Sequence, residues 1–298
     1  MKTLQRTFIP GDVWIYFKIY TGIKTADLLL TNTLWPVIHK MLQNKLIKKF
    51  YFIRFNDPDF HLRLRFLLAD NADFGEAVRT IHKALKPAAD KQFVWKIQLD
   101  TYQREMERYN AYLMEDTESL FSVDSICLVR MIKHLNKIQD EKYRWMISLL
   151  LIDNFLSDWN FTLEQKKDFM SSLSNAFKIE FGFDKYNSKQ FNEKYRNNKA
   201  AVEQVLKNKM IDDDYHPLLQ LVSKRSAECK EIINHMQRVI SSNKLNIYNY
   251  LGSYLHMTMN RLFRTDNRLY ELLIYDFMKR YYISQVAIHT HQPVTQRK

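Results

Sequence analysis

Apolar spacing in the first hundred residues switches between two periods. Residues 13–20, VWIYFKIY, form an aromatic and β-branched run that predicts a strand. Residues 25–43 carry leucines at helical spacing, with Thr25 as the expected N-cap and Pro36 as a kink or break. Residues 50–55 and 61–68 alternate with period two around Asn-Asp-Pro-Asp. That tetrapeptide reads as a turn, because proline presets φ and Asx side chains bond the local backbone. Residues 72–85 read as a helix that stops at Pro87. Residues 93–99, FVWKIQL, alternate again, with Phe93, Trp95, Ile97 and Leu99 on one side.

The order is β-α-β-β-α-β, the ferredoxin-like split pattern, which places its helices on one sheet face and leaves the other open. In the strand FHLRLRF, Leu62, Leu64 and Phe66 point one way, and His61, Arg63 and Arg65 the other. The leucines are expected to face the helices. From about residue 103 the pattern is helical, with breaks near 139–141, 160–162, 181–184, 212–217 and 241–246. The last two helices are expected at 247–264 and 267–286, and 287–298, with its His-x-His, as a frayed tail. The expected fold class is α+β: a sheet half of about 1–102 and a helical half of about 103–286, packed as a single domain. Covering the open face with helices would bury the arginines, and an unpaired buried charge is costly.

Composition narrows the class. The chain has 298 residues, 46% of them hydrophobic, with only five glycines and six prolines, so long flexible linkers are not expected. No apolar run approaches the roughly 20 residues that span a bilayer. The start lacks the apolar stretch of a secretory signal, and two cysteines are too few for a disulfide framework. A cytoplasmic protein is expected. The formal charge of +12 favours an acidic partner, although the basic residues are scattered and a soluble basic surface explains them as well. There is no RNA-recognition signature, glycine-rich phosphate loop or zinc-finger spacing.

Three clusters carry candidate chemistry. Arg63 and Arg65, about 7 Å apart on one strand face, could grip one extended anion or two anionic groups, since guanidinium binds carboxylate bidentately and stays charged. A solvated sheet face is the plainer reading. Glu105 and Arg108 in TYQREMERY are neighbours if that stretch is a helical turn, which is also a common surface pair. In SYLHMTMNRLF, Ser253, His256 and Asn260 form a polar stripe beside a packing stripe of Leu251, Leu255, Met259 and Leu262. A lone helical histidine is more often a core residue than a catalyst, yet its intrinsic pKa suits proton transfer.

Together FIRFNDPDFHLRLRF, EMERY and LHMTMNRL, after an early WIYFKIY strand, resemble the C-terminal elimination domain of class I lanthipeptide dehydratases. That domain also occurs alone in thiopeptide-type bacteriocin biosynthesis. The resemblance spans residues 14 to about 282, and its DPDFHLRLRF block is the most specific part. It implies a lyase that removes glutamate from glutamylated Ser or Thr of a ribosomally made precursor peptide, leaving dehydroalanine or dehydrobutyrine. It also implies a catalytic set of His256, Arg63, Arg65, Arg108 and Glu105. Arg63 and Arg65, with His61, Asn260 and Arg261, are carried as the substrate-binding set, His61 as a positional rather than a catalytic residue. The family's common Gly-Gly after Arg-Tyr is Asn110-Ala111 here, so the backbone there is expected to run differently.

Elimination from an activated ester needs no cofactor, and no metal, nucleotide or flavin site is expected. Nothing the size of a glutamylation domain precedes Trp14, so a natural complete chain would be the elimination half of a split dehydratase. Its expected partners are the glutamylated precursor peptide and a separate tRNA-dependent glutamylating protein, without direct nucleic-acid contact or a membrane span. A homodimer is compatible with the sequence. Two rivals stay open: a thiopeptide pyridine synthase, whose relatives tend to have lost the Arg/Glu/His set, and a non-catalytic peptide- or RNA-binding scaffold.

Overall fold

The alternating N-terminal runs become strands β2 (Trp14–Thr21), β3 (Ile47–Asn56), β4 (Phe60–Leu68) and β5 (Val94–Asp100), preceded by a two-residue strand β1 (Thr7–Phe8). The sheet order is β3-β4-β2-β5, antiparallel throughout, which is the split βαββαβ arrangement. The computed structural model describes residues 4–138, 140–207 and 213–291. No helix among them is long and apolar enough to cross a membrane.

The helices between strands are longer than the sequence suggests. α1 (Ile23–Leu28) continues through a π-helical stretch, Leu29–Leu34, into α2 (Trp35–Gln43). Pro36 stands at the start of α2, directly after the π-helical stretch, and does not break the helix. Gly22, not Thr25, is the N-cap of α1. α3 (Phe74–Asp90) runs past Pro87 instead of stopping there, although a proline at 87 gives up the N–H that would bond the carbonyl of Lys83, and the helix ends within one further turn. Leu62, Leu64 and Phe66 pack with Ala26, Leu30 and Ile81 in one buried cluster, so the leucine face meets the helices as expected. On β5 the apolar row is half exposed, Trp95 at 55%, because β5 is an edge strand with no neighbour on its outer side.

After β5 come β6 (Tyr102–Gln103), which pairs with β1, the single turn α4 (Met106–Tyr109), and α5 (Met114–Ile138). Helices α6 (Glu141–Asp158), α7 (Leu163–Glu180), α8 (Lys185–Leu206), α9 (His216–Ser242), α10 (Tyr248–Leu262) and α11 (Asn267–His291) follow. Residues 287–291, expected in a frayed tail, are the end of α11; the rest of the tail and the His291 side chain lie outside the described residues. The chain gathers into two compact units: Met1–Gln139 with Ala227–Thr265, and Asp140–Ser226 with Asp266–Lys298. Thus α5 and α10 belong with the sheet.

In the first unit, α5 and α10 close the outer edge of β3. An edge strand offers unpaired N–H groups, and here side chains take them. Phe50 N–H donates to Ser122 Oγ (3.1 Å), Phe52 N–H to Ser125 Oγ (3.2 Å) and Arg54 N–H to Asn260 Oδ1 (2.9 Å). The second unit is helical, with α11 along α7 and α6 against α8. Its breaks have local causes. Thr162 and Gln165 form a capping box at α7, Asp184 and Asn187 another at α8, and Gly182 supplies the positive φ of 58° that ends α7.

Candidate functional site

The register sets three rows across the sheet face opposite the leucines. Tyr51, Arg65, Tyr16 and Asp100 form one row; Ile53, Arg63, Lys18 and Gln98 the next; Phe55, His61, Tyr20 and Lys96 the third. The charges are not all buried against a helical layer, as the sequence suggested. Arg63 and Lys18 stay half exposed, and Arg65 is buried chiefly by aromatic rings from β2, β3 and β6.

Arg65 is 9% exposed. Its guanidinium carbon lies 4.5 Å from the Tyr16 ring centroid, 5.3 Å from Tyr51 and 5.1 Å from Tyr102. Among the described residues it makes no ion pair, and its buried Nε has no hydrogen-bond partner. Burial works against its charge, while the three phenols and Glu105 offset that and hold the group cationic. Burial raises the pKa of each of the three tyrosines above the ordinary phenol range, so they remain neutral phenols at pH 7. Beside Arg65 is a cavity of about 20 Å³, lined also by Tyr51, Tyr102, Glu105, Phe121 and Met257. It has room for a group the size of a water molecule or a carboxylate oxygen.

Glu105 and Arg108 do form a helical turn, with Arg108 Nη1 3.6 Å from Glu105 Oε2. Arg108 Nε also donates to Ser253 Oγ on α10 (3.1 Å). Tyr109 stacks on Tyr254 with centroids 5.7 Å apart, so consecutive residues of α4 dock on consecutive residues of α10. His256 is half buried, one turn beyond Ser253 and next to Met257. The cavity therefore joins Arg65 and Glu105; Arg63, Arg108 and His256 do not line it.

Three residues of the expected binding set have other tasks. His61 is fully buried and bonded through both ring nitrogens, so it cannot touch a substrate. Asn260 spends its amide on the backbone of Arg54, accepting from its N–H and donating to its carbonyl, both at 2.9 Å. Arg261 is fully buried, donating to Phe52 O (2.8 Å) and Asp124 Oδ2 (2.9 Å). Asn110 adopts φ 64° and ψ 141°, a backbone shape natural to glycine. Its Oδ1 accepts from Tyr112 N–H (2.9 Å), which helps a non-glycine hold that shape. The tyrosine cage was not among the expected site residues, although WIYFKIY places Tyr16 and Tyr20 on alternate positions with Lys18. Among the described residues no cluster of three or more His, Cys, Asp or Glu is placed to hold a metal ion.

A profile of the lantibiotic biosynthesis dehydratase C-terminal family matches residues 14–282. The chain is 25% identical over 272 residues to the subtilin biosynthesis protein SpaB of Bacillus subtilis, covering 89% of this chain and 25% of that protein. It is 26% identical over 297 residues to the nisin biosynthesis protein NisB of Lactococcus lactis subsp. lactis, covering 94% and 26%. The chain thus spans about a quarter of the length of these curated relatives. Among solved structures, the tRNA-dependent lantibiotic dehydratase MibB from Microbispora sp. 107891 superposes with a TM-score of 0.71 at 14% identity, over 95% of this chain and 29% of that one. The pyridine synthase TbtD of thiomuracin biosynthesis superposes at 0.57 and 11%, over 92% of this chain and 100% of its own.

Proposed function

Because the chain belongs to the lantibiotic biosynthesis dehydratase C-terminal family, we propose that it eliminates glutamate from glutamylated Ser or Thr of a precursor peptide. The observation that carries this reading is Arg65, a buried guanidinium without an acidic partner beside a cavity. A buried cation left unpaired is unfavourable unless an anion completes it. The side-chain carboxylate of an ester-linked glutamyl group is such an anion, and in this reading Arg63, two residues away on the same face, is a second cation for the glutamylated peptide.

In the reaction a base takes the α-proton of the modified residue, the Cα–Cβ double bond forms, and the Cβ–O bond breaks to release glutamate. Negative charge develops first toward the peptide carbonyl and then on the departing carboxylate, so fixed cations lower the barrier. Arg108, held by Glu105 and Ser253, is suited to the first task. His256 is the proposed proton carrier. Within this reading Asn260 and Arg261 support the β3 edge. The peptide is made reactive by a separate tRNA-dependent glutamylating activity.

The test is direct. Purified protein is mixed with a peptide bearing O-glutamyl serine, and its mass is followed for loss of glutamic acid. Loss that His256→Ala prevents is expected. An unchanged mass with the cognate peptide and glutamylating protein supplied would reject the reading. The full-length match to a pyridine synthase favours one alternative, cycloaddition of two dehydroalanines. A bis-dehydroalanine peptide consumed with loss of its leader, while the glutamyl ester persists, would establish that instead.

A further inference from the structure

His61 sits in the row beside Arg63, enclosed by the rings of Tyr20, 4.6 Å between centroids, and Phe55, 5.6 Å. Its Nδ1 is 2.8 Å from the carbonyl oxygen of Asp59, and its Nε2 is 3.1 Å from Nε of Arg63. A carbonyl oxygen can only accept, so Nδ1 carries the proton. A guanidinium N–H can only donate, so Nε2 must offer its lone pair. One neutral tautomer satisfies both contacts. Arg63 is held from its other side by Phe55, whose ring centroid lies 3.4 Å from the guanidinium carbon.

We infer that His61 is a positioning residue: in its Nδ1–H tautomer it fixes Arg63 through Nε and leaves Nη1 and Nη2 as the donors for an anion. This rests on the reading of Arg63 as part of a carboxylate site. A second proton on His61 would set N–H against N–H and release Arg63. The surroundings resist that proton. Burial first, then Arg63 and Lys18, hold the imidazole below its ordinary range, against the Asp59 carbonyl and Asp57, which favour protonation. From β5, Lys96 adds a further cation over Tyr20.

The structure assigns the substitutions that test this. His61→Gln keeps an acceptor near the Nε2 position without a titrating group, whereas His61→Phe keeps the ring volume and removes the acceptor. The first measurement is long-range 15N NMR of the histidines across pH 5–8. A neutral Nδ1–H tautomer for His61 at pH 6 is expected; an Nε2–H tautomer, or a ring protonated at pH 6, overturns the proposal. The second is binding of free glutamate by calorimetry. His61→Phe, folded by circular dichroism, should bind about tenfold more weakly, and His61→Gln should match wild type near pH 7 but lack its weakening toward pH 5. Wild-type affinity in folded His61→Phe would also overturn it. If wild type binds no glutamate, that counts against the carboxylate site, and the tautomer decides the role of His61 by itself.

Discussion

Two groups of arginines lie within one unit of this protein, and they differ in what answers their charge. Along the β3 edge every buried arginine has a carboxylate. Arg54 meets Asp27 at 2.5 Å, Arg261 meets Asp124 at 2.9 Å, and nearby Arg104 grips both oxygens of Glu118 at 2.7 Å. On the β4 face Arg65 is as buried, yet it lies among tyrosine rings with Glu105 across a small cavity. Among the described residues it has no carboxylate in ion-pair contact, and Arg63 is held by a neutral histidine. The first arrangement is architecture, in which the fold supplies both charges. In the proposed function the second supplies one charge and a fixed geometry and leaves the other to the substrate's carboxylate. Burial alone does not separate the two groups; a carboxylate in ion-pair contact does.

The comparison breaks most visibly at Arg261. Arg261→Ala removes the cation that answers Asp124, leaving it the Thr258 hydroxyl, and frees the carbonyl of Phe52, so the unit should lose about 3–5 kcal/mol. Denaturant unfolding would register that as a lower midpoint, and an unchanged midpoint would remove Arg261 from the structural group. Arg65→Met should do the reverse. It replaces an unpaired buried cation with an apolar chain, so stability should hold within about 1 kcal/mol, while elimination falls at least about 100-fold. A variant that lost stability and activity together would show Arg65 to be scaffold.

That contrast was only half legible in the sequence. Alternation in FHLRLRF gave the two faces of β4, because side-chain direction in a strand follows from period two alone. The same rule placed His61 with the arginines but could not tell that Tyr20 and Phe55 would enclose it, since burial depends on neighbouring strands and their register. LHMTMNRL marked α10 as polar on one side. It did not distinguish His256 from Asn260 and Arg261, whose partners, Arg54 and Asp124, lie more than a hundred residues away. Ser122 and Ser125 were silent for the same reason: a helical serine gains meaning only when a strand edge lies against it. The short strands β1 and β6 have two residues each, too few for a periodic signal. Pro87 misled because a proline inside a helix removes one hydrogen bond without necessarily ending the helix, and here α3 continues to Asp90.

The edge also depends on these serines. Ser125→Ala would leave the buried N–H of Phe52 without its acceptor, at about 1–2 kcal/mol. Ser122→Ala should act similarly at Phe50. If both variants unfold like wild type, water or neighbouring groups replace the hydroxyls and the edge is less tightly closed than the geometry suggests. Neither change should alter turnover more than the loss of folded protein explains.

The smallest effect sharpens the comparison most, because it asks the unpaired arginines to reveal what completes them. A ligand that binds only the folded state stabilises it by RT ln(1 + [L]/Kd). Glutarate carries the side-chain carboxylate of glutamate and should bind at Arg65 and Arg63. At about tenfold over its Kd it would add about 1.4 kcal/mol, a rise of about 2–4 °C in thermal unfolding. Glutaramide, of the same shape but uncharged, should leave the midpoint unmoved, which separates anion binding from general solute stabilisation. Arg65→Met should no longer respond to glutarate. Ser125→Ala should respond as wild type does, since its damage lies on the edge whose charges the fold already answers. A rise that persists in Arg65→Met would place the anion elsewhere on this basic protein and remove the main support for reading β4 as a carboxylate-binding strand.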